Sequence, residues 1–200
     1  THDLLLVDSS QQTKFERGFK TWCENTSLTI RDRLRLTKYD PLSPYKLAEY
    51  LKVKIITPQE ITGLSSDAIN YLISPQGNDW DAVTIRSNGI DVIVINPSHS
   101  ERRQANTLMH ELAHIIRGHK SVQIVMNDTG VTFRNYDRLQ EAEADWLAGA
   151  LLLPSDVLVH CIYRKYTDEQ AAEIFGVSTA VLNFRMNVTG VKKRLSRGQR

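Results

Sequence analysis

Cysteine is nearly missing from this chain: Cys23 and Cys161 are the only two in 200 residues. Two thiols so far apart, with no C-x-x-C spacing, exclude a disulfide framework and favour a reducing interior. Long apolar runs are missing too. Thr1-His2-Asp3-Leu4-Leu5-Leu6-Val7 is short and carries no basic leader, and no later stretch approaches the roughly 18 apolar residues that span a bilayer. A soluble, cytoplasmic protein with no membrane partner is the expectation. Charge of one sign is not in excess either: 25 Lys and Arg stand against 23 Asp and Glu, a net +2 that is too mild to imply nucleic acid. Lys192, Lys193, Arg194, Arg197 and Arg200 do crowd the last nine residues, where a solvated, frayed end accounts for them. Without repeats or low-complexity tracts, and with ordinary apolar and charged fractions, the chain reads as one compact domain with a small appendage.

What is present is His110-Glu111-Leu112-Ala113-His114, which fits H-E-x-x-H. At 3.6 residues per turn the two histidines share a helical face, so both rings can reach one ion at about 2.0–2.1 Å, while Glu111 points toward the ion's open side. Composition alone would produce this pentapeptide in about one such chain in a hundred, so it needs context.

Phe15, Phe19 and Trp22 recur at helical spacing and predict an amphipathic helix over about 14–23, with the basic Ile30-to-Lys38 stretch as a second. Ser43-Pro44 is a cap and first-turn pair for a helix ending near Leu51, and Val53-Ile55-Ile56 reads as a short strand. A helix is expected around 66–73. Ala82–Ile85 and Ile90–Ile95 flank Ser87-Asn88-Gly89, whose Asn-Gly suits a tight hairpin turn and predicts an antiparallel pair within a small antiparallel or mixed sheet. Ser98 or Ser100 can cap the motif helix, which buries Leu108, Leu112, Ile115 and Ile116. Residues 121–137 read as a loop with an extended piece at 122–125, followed by an apolar helix over 139–153 that stops at Pro154.

That apolar helix opens with Gln140-Glu141-Ala142-Glu143-Ala144-Asp145. Two histidines leave a catalytic zinc site one protein ligand short of three, and Glu141 is assigned to complete it. Asp145, one turn on, can accept the remaining N–H of a ligand histidine and hold its tautomer. Glu143 faces about 200° away and is the fallback ligand. The bland reading of these carboxylates, first-turn acids favoured by the helix dipole, loses ground beside the histidine motif. Zinc suits the ligands best, with manganese compatible. The chemistry expected is amide hydrolysis: the ion acidifies a water, Glu111 takes its proton during attack on a carbonyl and passes it to the leaving amine. His119, Arg117, Tyr136 and Arg134 are candidates to stabilise the oxyanion, His119 having also the plain reading of a helix-end histidine.

These residues resemble the ImmA/IrrE-type metallopeptidases of bacteria and their mobile elements. The likeness covers about residues 44–186 and is carried by Ser43-Pro44 with Leu47, Ala48 and Leu51, by Val92–Asn96, by Arg103–His114, and by Glu141–Ala148 running to Pro154. The family's commonest form reads Glu-x-Glu-Ala-Asn-x-Phe-Ala, from which Asp145 and Leu147 depart. The resemblance implies an α+β, zincin-like, gluzincin-type fold, with His110, His114 and Glu141 as ligands and Glu111 as the catalytic carboxylate. It also implies a protein substrate: a helix-turn-helix repressor cut at one place, which releases genes of a mobile element or a stress response. An extended substrate could add as a strand beside the Ala82–Ile95 hairpin.

Thr167–Leu182 has helix-turn-helix patterning, with alanine four residues before Gly176 and Ser178 opening the next helix. The expected division is therefore a core over 1–160 and a helical tail over 161–200. Packing on the core explains the tail better than DNA reading, since the second helix offers few side chains suited to base edges, and Arg185 stands where an apolar residue is expected. The alternative function is a DNA-binding regulator with a structural or vestigial metal site. Glu111 argues against it, because a structural site has no use for a base beside an open coordination position.

Overall fold

The computed structural model describes residues 14–74, 79–87, 90–119, 123–127, 130–134 and 137–198, with backbone alone at 86, 87, 123–127, 130–134 and 196–198. The architecture is α+β: mostly helical with a small three-stranded sheet. By contacts the chain falls into two compact units, Pro44–Ala144 and the described residues of 2–43 together with 145–200.

In the first unit, α2 (Pro44–Leu51) buries Leu47 and Ala48, and Val53 leads into β1 (Lys54–Ile56). A single 3-10 turn at Pro58–Glu60 and α3 (Ser66–Ile73) follow, the latter capped by Ser65 on the Ala68 amide. β2 (Ala82–Ser87) and β3 (Ile90–Ile95) pair antiparallel, but β1 joins β3 in parallel, with Lys54 opposite Val92. The sheet is thus mixed, in order β1-β3-β2, rather than purely antiparallel. Parallel pairing follows from the connection, since the long excursion through α3 and β2 returns the chain to β1 in the same direction. The Asn88-Gly89 turn lies outside the described residues.

α4 (Glu101–Arg117) packs on α2, β2 and β3. Ser100 is its cap, accepting from the Arg103 amide at 3.4 Å, and Gly118 closes it at φ 73°, a left-handed geometry that glycine takes without a Cβ penalty. Leu108, Met109, Leu112 and Ala113 are fully buried. Each of the three larger side chains stabilises by about 1.5–3 kcal/mol, enough to seat the helix while its other face stays polar. Beyond α4 the extended piece expected at 122–125 is a strand, β4 (Gln123–Asn127), and it pairs antiparallel with a second, β5 (Gly130–Arg134), where only loop was expected. The apolar run Ile124-Val125-Met126 and the alternating Val131-Thr132-Phe133 on either side of Asp128-Thr129-Gly130 were the overlooked signal.

In the second unit, the two helices expected over 14–38 are one, α1 (Phe19–Arg33). Gly18 sits at its start with φ 89°, so Phe15 lies before the helix and stacks on Phe19 at 4.9 Å. α5 (Arg138–Leu152) runs from the first unit into the second, and α6 (Ser155–Tyr163) follows Pro154. α7 (Asp168–Ile174) and α8 (Thr179–Thr189) contact each other across Gly176, and α9 (Val191–Gly198) ends the described chain. Arg185 on α8 is fully buried: its Nη2 donates to Glu24 Oε1 at 2.6 Å and its Nε to the Leu153 carbonyl at 3.1 Å. A Cβ on Gly149 would come within 2.8 Å of the Arg185 Cδ, so the arginine has a glycine-shaped berth.

Candidate metal centre

The motif helix presents His110, Glu111 and His114 half-buried, opposite its apolar face. The two Nε2 atoms lie 3.0 Å apart, and Glu141 Oε2 from the first turn of α5 lies 3.3 Å from His110 Nε2 and 3.6 Å from His114 Nε2. Among the described residues this is the one group of three or more such side chains that could hold a metal ion. A tetrahedron with arms of about 2.0–2.1 Å has edges of about 3.3–3.4 Å. The three observed separations bracket that edge, so the donor set fits a four-coordinate divalent ion with one corner left over. Burial alone would raise the Glu141 pKa, but the close approach of His110 and His114 outweighs it and holds the carboxyl far below the usual range. The carboxylate is therefore ionised, as a ligand must be.

Glu111 accepts a short hydrogen bond from the Thr84 hydroxyl of β2. Thr84 did not stand out in the sequence, because a threonine within a β-branched strand looks like ordinary strand composition. The start of α4 is tied to the same strand: Arg103 Nε donates to Asp81 Oδ1 at 2.7 Å, and His99 Nε2 lies 3.3 Å from that oxygen and 3.0 Å from the Trp80 carbonyl. His99, given no role from sequence, thus helps lock the helix to the sheet edge.

Beyond the motif, His119 is buried with both ring nitrogens engaged. Its Nδ1 lies 2.9 Å from His114 Nδ1, and its Nε2 lies 3.1 Å from Glu143 Oε2. Arg117 grips the same carboxylate twice, Nε to Oε2 at 2.8 Å and Nη2 to Oε1 at 3.3 Å. Burial lowers the His119 pKa despite the opposing pull of Glu143. Glu143 is itself held low, its burial outweighed by Arg117 and His119. Both His119 nitrogens are engaged within the fold, and the carboxylate of Glu143, the fallback ligand, contacts Arg117 and His119. Asp145, expected to accept from a ligand histidine, follows Glu141 by one turn on α5. Tyr136 and the side chain of Arg134 lie outside the described residues.

The family model described as the IrrE N-terminal-like domain, Peptidase_M78, matches residues 68–187, over half of the chain. The chain belongs to that family. The IrrE-like match spans both the histidine motif and Glu141, and it makes this a protein of metal-dependent peptidase type. No curated protein and no solved structure matches the chain. Among the described residues, no single helix of this family member is long and apolar enough to cross a membrane.

Proposed function

We propose that this chain is a zinc-dependent, site-specific endopeptidase of zincin-like, gluzincin type. Its substrate on this reading is a helix-turn-helix repressor, whose cleavage in the cytoplasm relieves repression in a mobile element or a stress response. The observation that carries the reading is the tetrahedral spacing of His110, His114 and Glu141 beside Glu111. Zinc, when bound, supplies a Lewis acid that lowers the pKa of a coordinated water toward about 7. Glu111 then acts as general base, taking the water's proton on its carboxylate and delivering it to the departing amide nitrogen. Thr84 holds that carboxylate in place by its hydroxyl. β2 is an edge strand of its sheet, so a substrate in extended form can add to it and bring a peptide bond past Thr84 to Glu111. Tyr136 and Arg134 are kept as candidates to stabilise the oxyanion.

Glu111→Gln is the direct test. The variant is expected to keep its metal and lose cleavage of the partner repressor, read by mapping new chain ends after mixing the two proteins; an unchanged cleavage rate rejects the mechanism. The competing reading, a DNA-binding regulator, is disfavoured by α8, whose only arginine is buried against Glu24 and whose exposed positions include Thr179, Ala180, Asn183 and Asn187. Salt-steep binding of duplex DNA that survives metal removal would favour it instead.

A further inference from the structure

Three contacts beyond the ligands form a continuous chain: His114 Nδ1 to His119 Nδ1 at 2.9 Å, His119 Nε2 to Glu143 Oε2 at 3.1 Å, and Glu143 to the paired nitrogens of Arg117. The His119 and Glu143 side chains are only 6% and 8% exposed, which keeps water from replacing either partner. We propose that this His114–His119–Glu143 relay, anchored by Arg117, fixes the tautomer of His114 so that its Nε2 lone pair faces the ion. His119 is then a positioning residue for the metal. The inference rests on the reading of His110, His114 and Glu141 as ligands.

Proton bookkeeping gives the direction of every bond. Glu143 is acceptor-only as a carboxylate, so His119 must donate to it from Nε2–H. At about pH 8, where an unperturbed imidazole is neutral and carries one N–H, this leaves His119 Nδ1 as a bare acceptor. Two nitrogens at 2.9 Å need one proton between them, and it must come from His114 Nδ1–H. His114 Nε2 is thereby deprotonated and points at His110 Nε2 and Glu141 Oε2, where a ligand lone pair is wanted. Without the acceptor at His119, the alternative His114 tautomer would put a hydrogen where the ion belongs. Arg117 completes the logic by supplying the positive charge that keeps Glu143 ionised inside the fold.

The test compares the parent with His119→Phe, which keeps the bulk and removes the acceptor, and His119→Asn, whose side-chain oxygen can accept near the position of the lost Nδ1. Zinc affinity is read by competition with a chelator, and histidine tautomers by nitrogen NMR of the metal-free proteins at about pH 8, where unperturbed imidazoles are neutral. His119→Phe is expected to bind zinc about 10–100-fold more weakly, as loss of a ligand's supporting hydrogen bond does, with His119→Asn recovering most of the difference. In the metal-free parent, His114 should carry its proton on Nδ1 and His119 on Nε2. A parent His114 protonated on Nε2, equal zinc affinity in His119→Phe, or equal loss in the Phe and Asn variants overturns the relay. Should His119→Phe fail to fold, the parent's tautomers decide. A parent that binds no zinc yet shows the expected tautomers defeats the metal reading and leaves the relay standing.

Discussion

Thr84 and Glu111 sit 27 residues apart in the chain and meet at the site through one hydroxyl. Hydrogen bonds to charged groups are worth about 1.5–3 kcal/mol, so a carboxylate that loses this donor is no longer held where proton transfer needs it. Thr84→Val keeps the branched shape of the strand residue and removes only the donor. We expect it to lower kcat for repressor cleavage by about 10-fold or more, the equivalent of one such bond, with zinc affinity unchanged. A variant that cuts at the parental rate would show that Glu111 needs no help from β2. The grouping of His110, His114 and Glu141 was legible at this scale, because i, i+4 spacing and ligand type are local signals. Thr84 was not, and neither was the bond between His119 and Glu143, 24 residues apart, because periodicity in a sequence says nothing about which distant side chains touch.

At the scale of elements, the metal centre depends on where α4 starts and stops. Ser100 and Gly118 bracket it, and the Gly118 amide satisfies the carbonyls of His114 and Ile115. Nothing lies within 4 Å of a Cβ built on Gly118, so the cost of a side chain there is conformational alone. Gly118→Ala should therefore destabilise by roughly 1 kcal/mol through the left-handed backbone, measured as a lower midpoint in urea at an unchanged slope. The same variant displaces the chain between His114 and His119 if the cap unwinds, so weaker zinc binding alongside is expected. Most elements were readable from pattern: α2, α3, β2, β3, α4 and α5 fall close to where spacing and caps put them. The misses have physical causes. Gly18 breaks the aromatic run before a helix can include Phe15, and the β4–β5 ribbon hides in a segment whose strands are only five residues each.

At the scale of the whole chain, contacts join the N-terminal helix α1 with the helices of 145–200, whereas pattern alone suggested a tail beginning at 161. The tie is the buried Arg185 with Glu24, which also accepts from the Ser155 amide at 2.8 Å. Removing one partner of such a pair strands the other's charge. Arg185→Met is expected to cost about 2–4 kcal/mol, toward the lower side of buried-pair values because Glu24 retains 26% exposure. Arg185→Met with Glu24→Gln should recover much of that loss, since the glutamine oxygen can still accept from Ser155. Chemical unfolding of the two variants checks this, and equal destabilisation of both would show that the charge pair is not the source.

By itself the sequence pointed to the peptidase family and to the His110, His114 and Glu141 group, because ligand chemistry and helical spacing are local properties that survive without a fold. Only the tertiary structure decided that β1 pairs in parallel with β3, that Glu143 contacts Arg117 and His119, and that Arg185 is interior. Each of those outcomes depends on which distant groups share a buried space, where an unpaired charge or proton is too costly to leave unmatched.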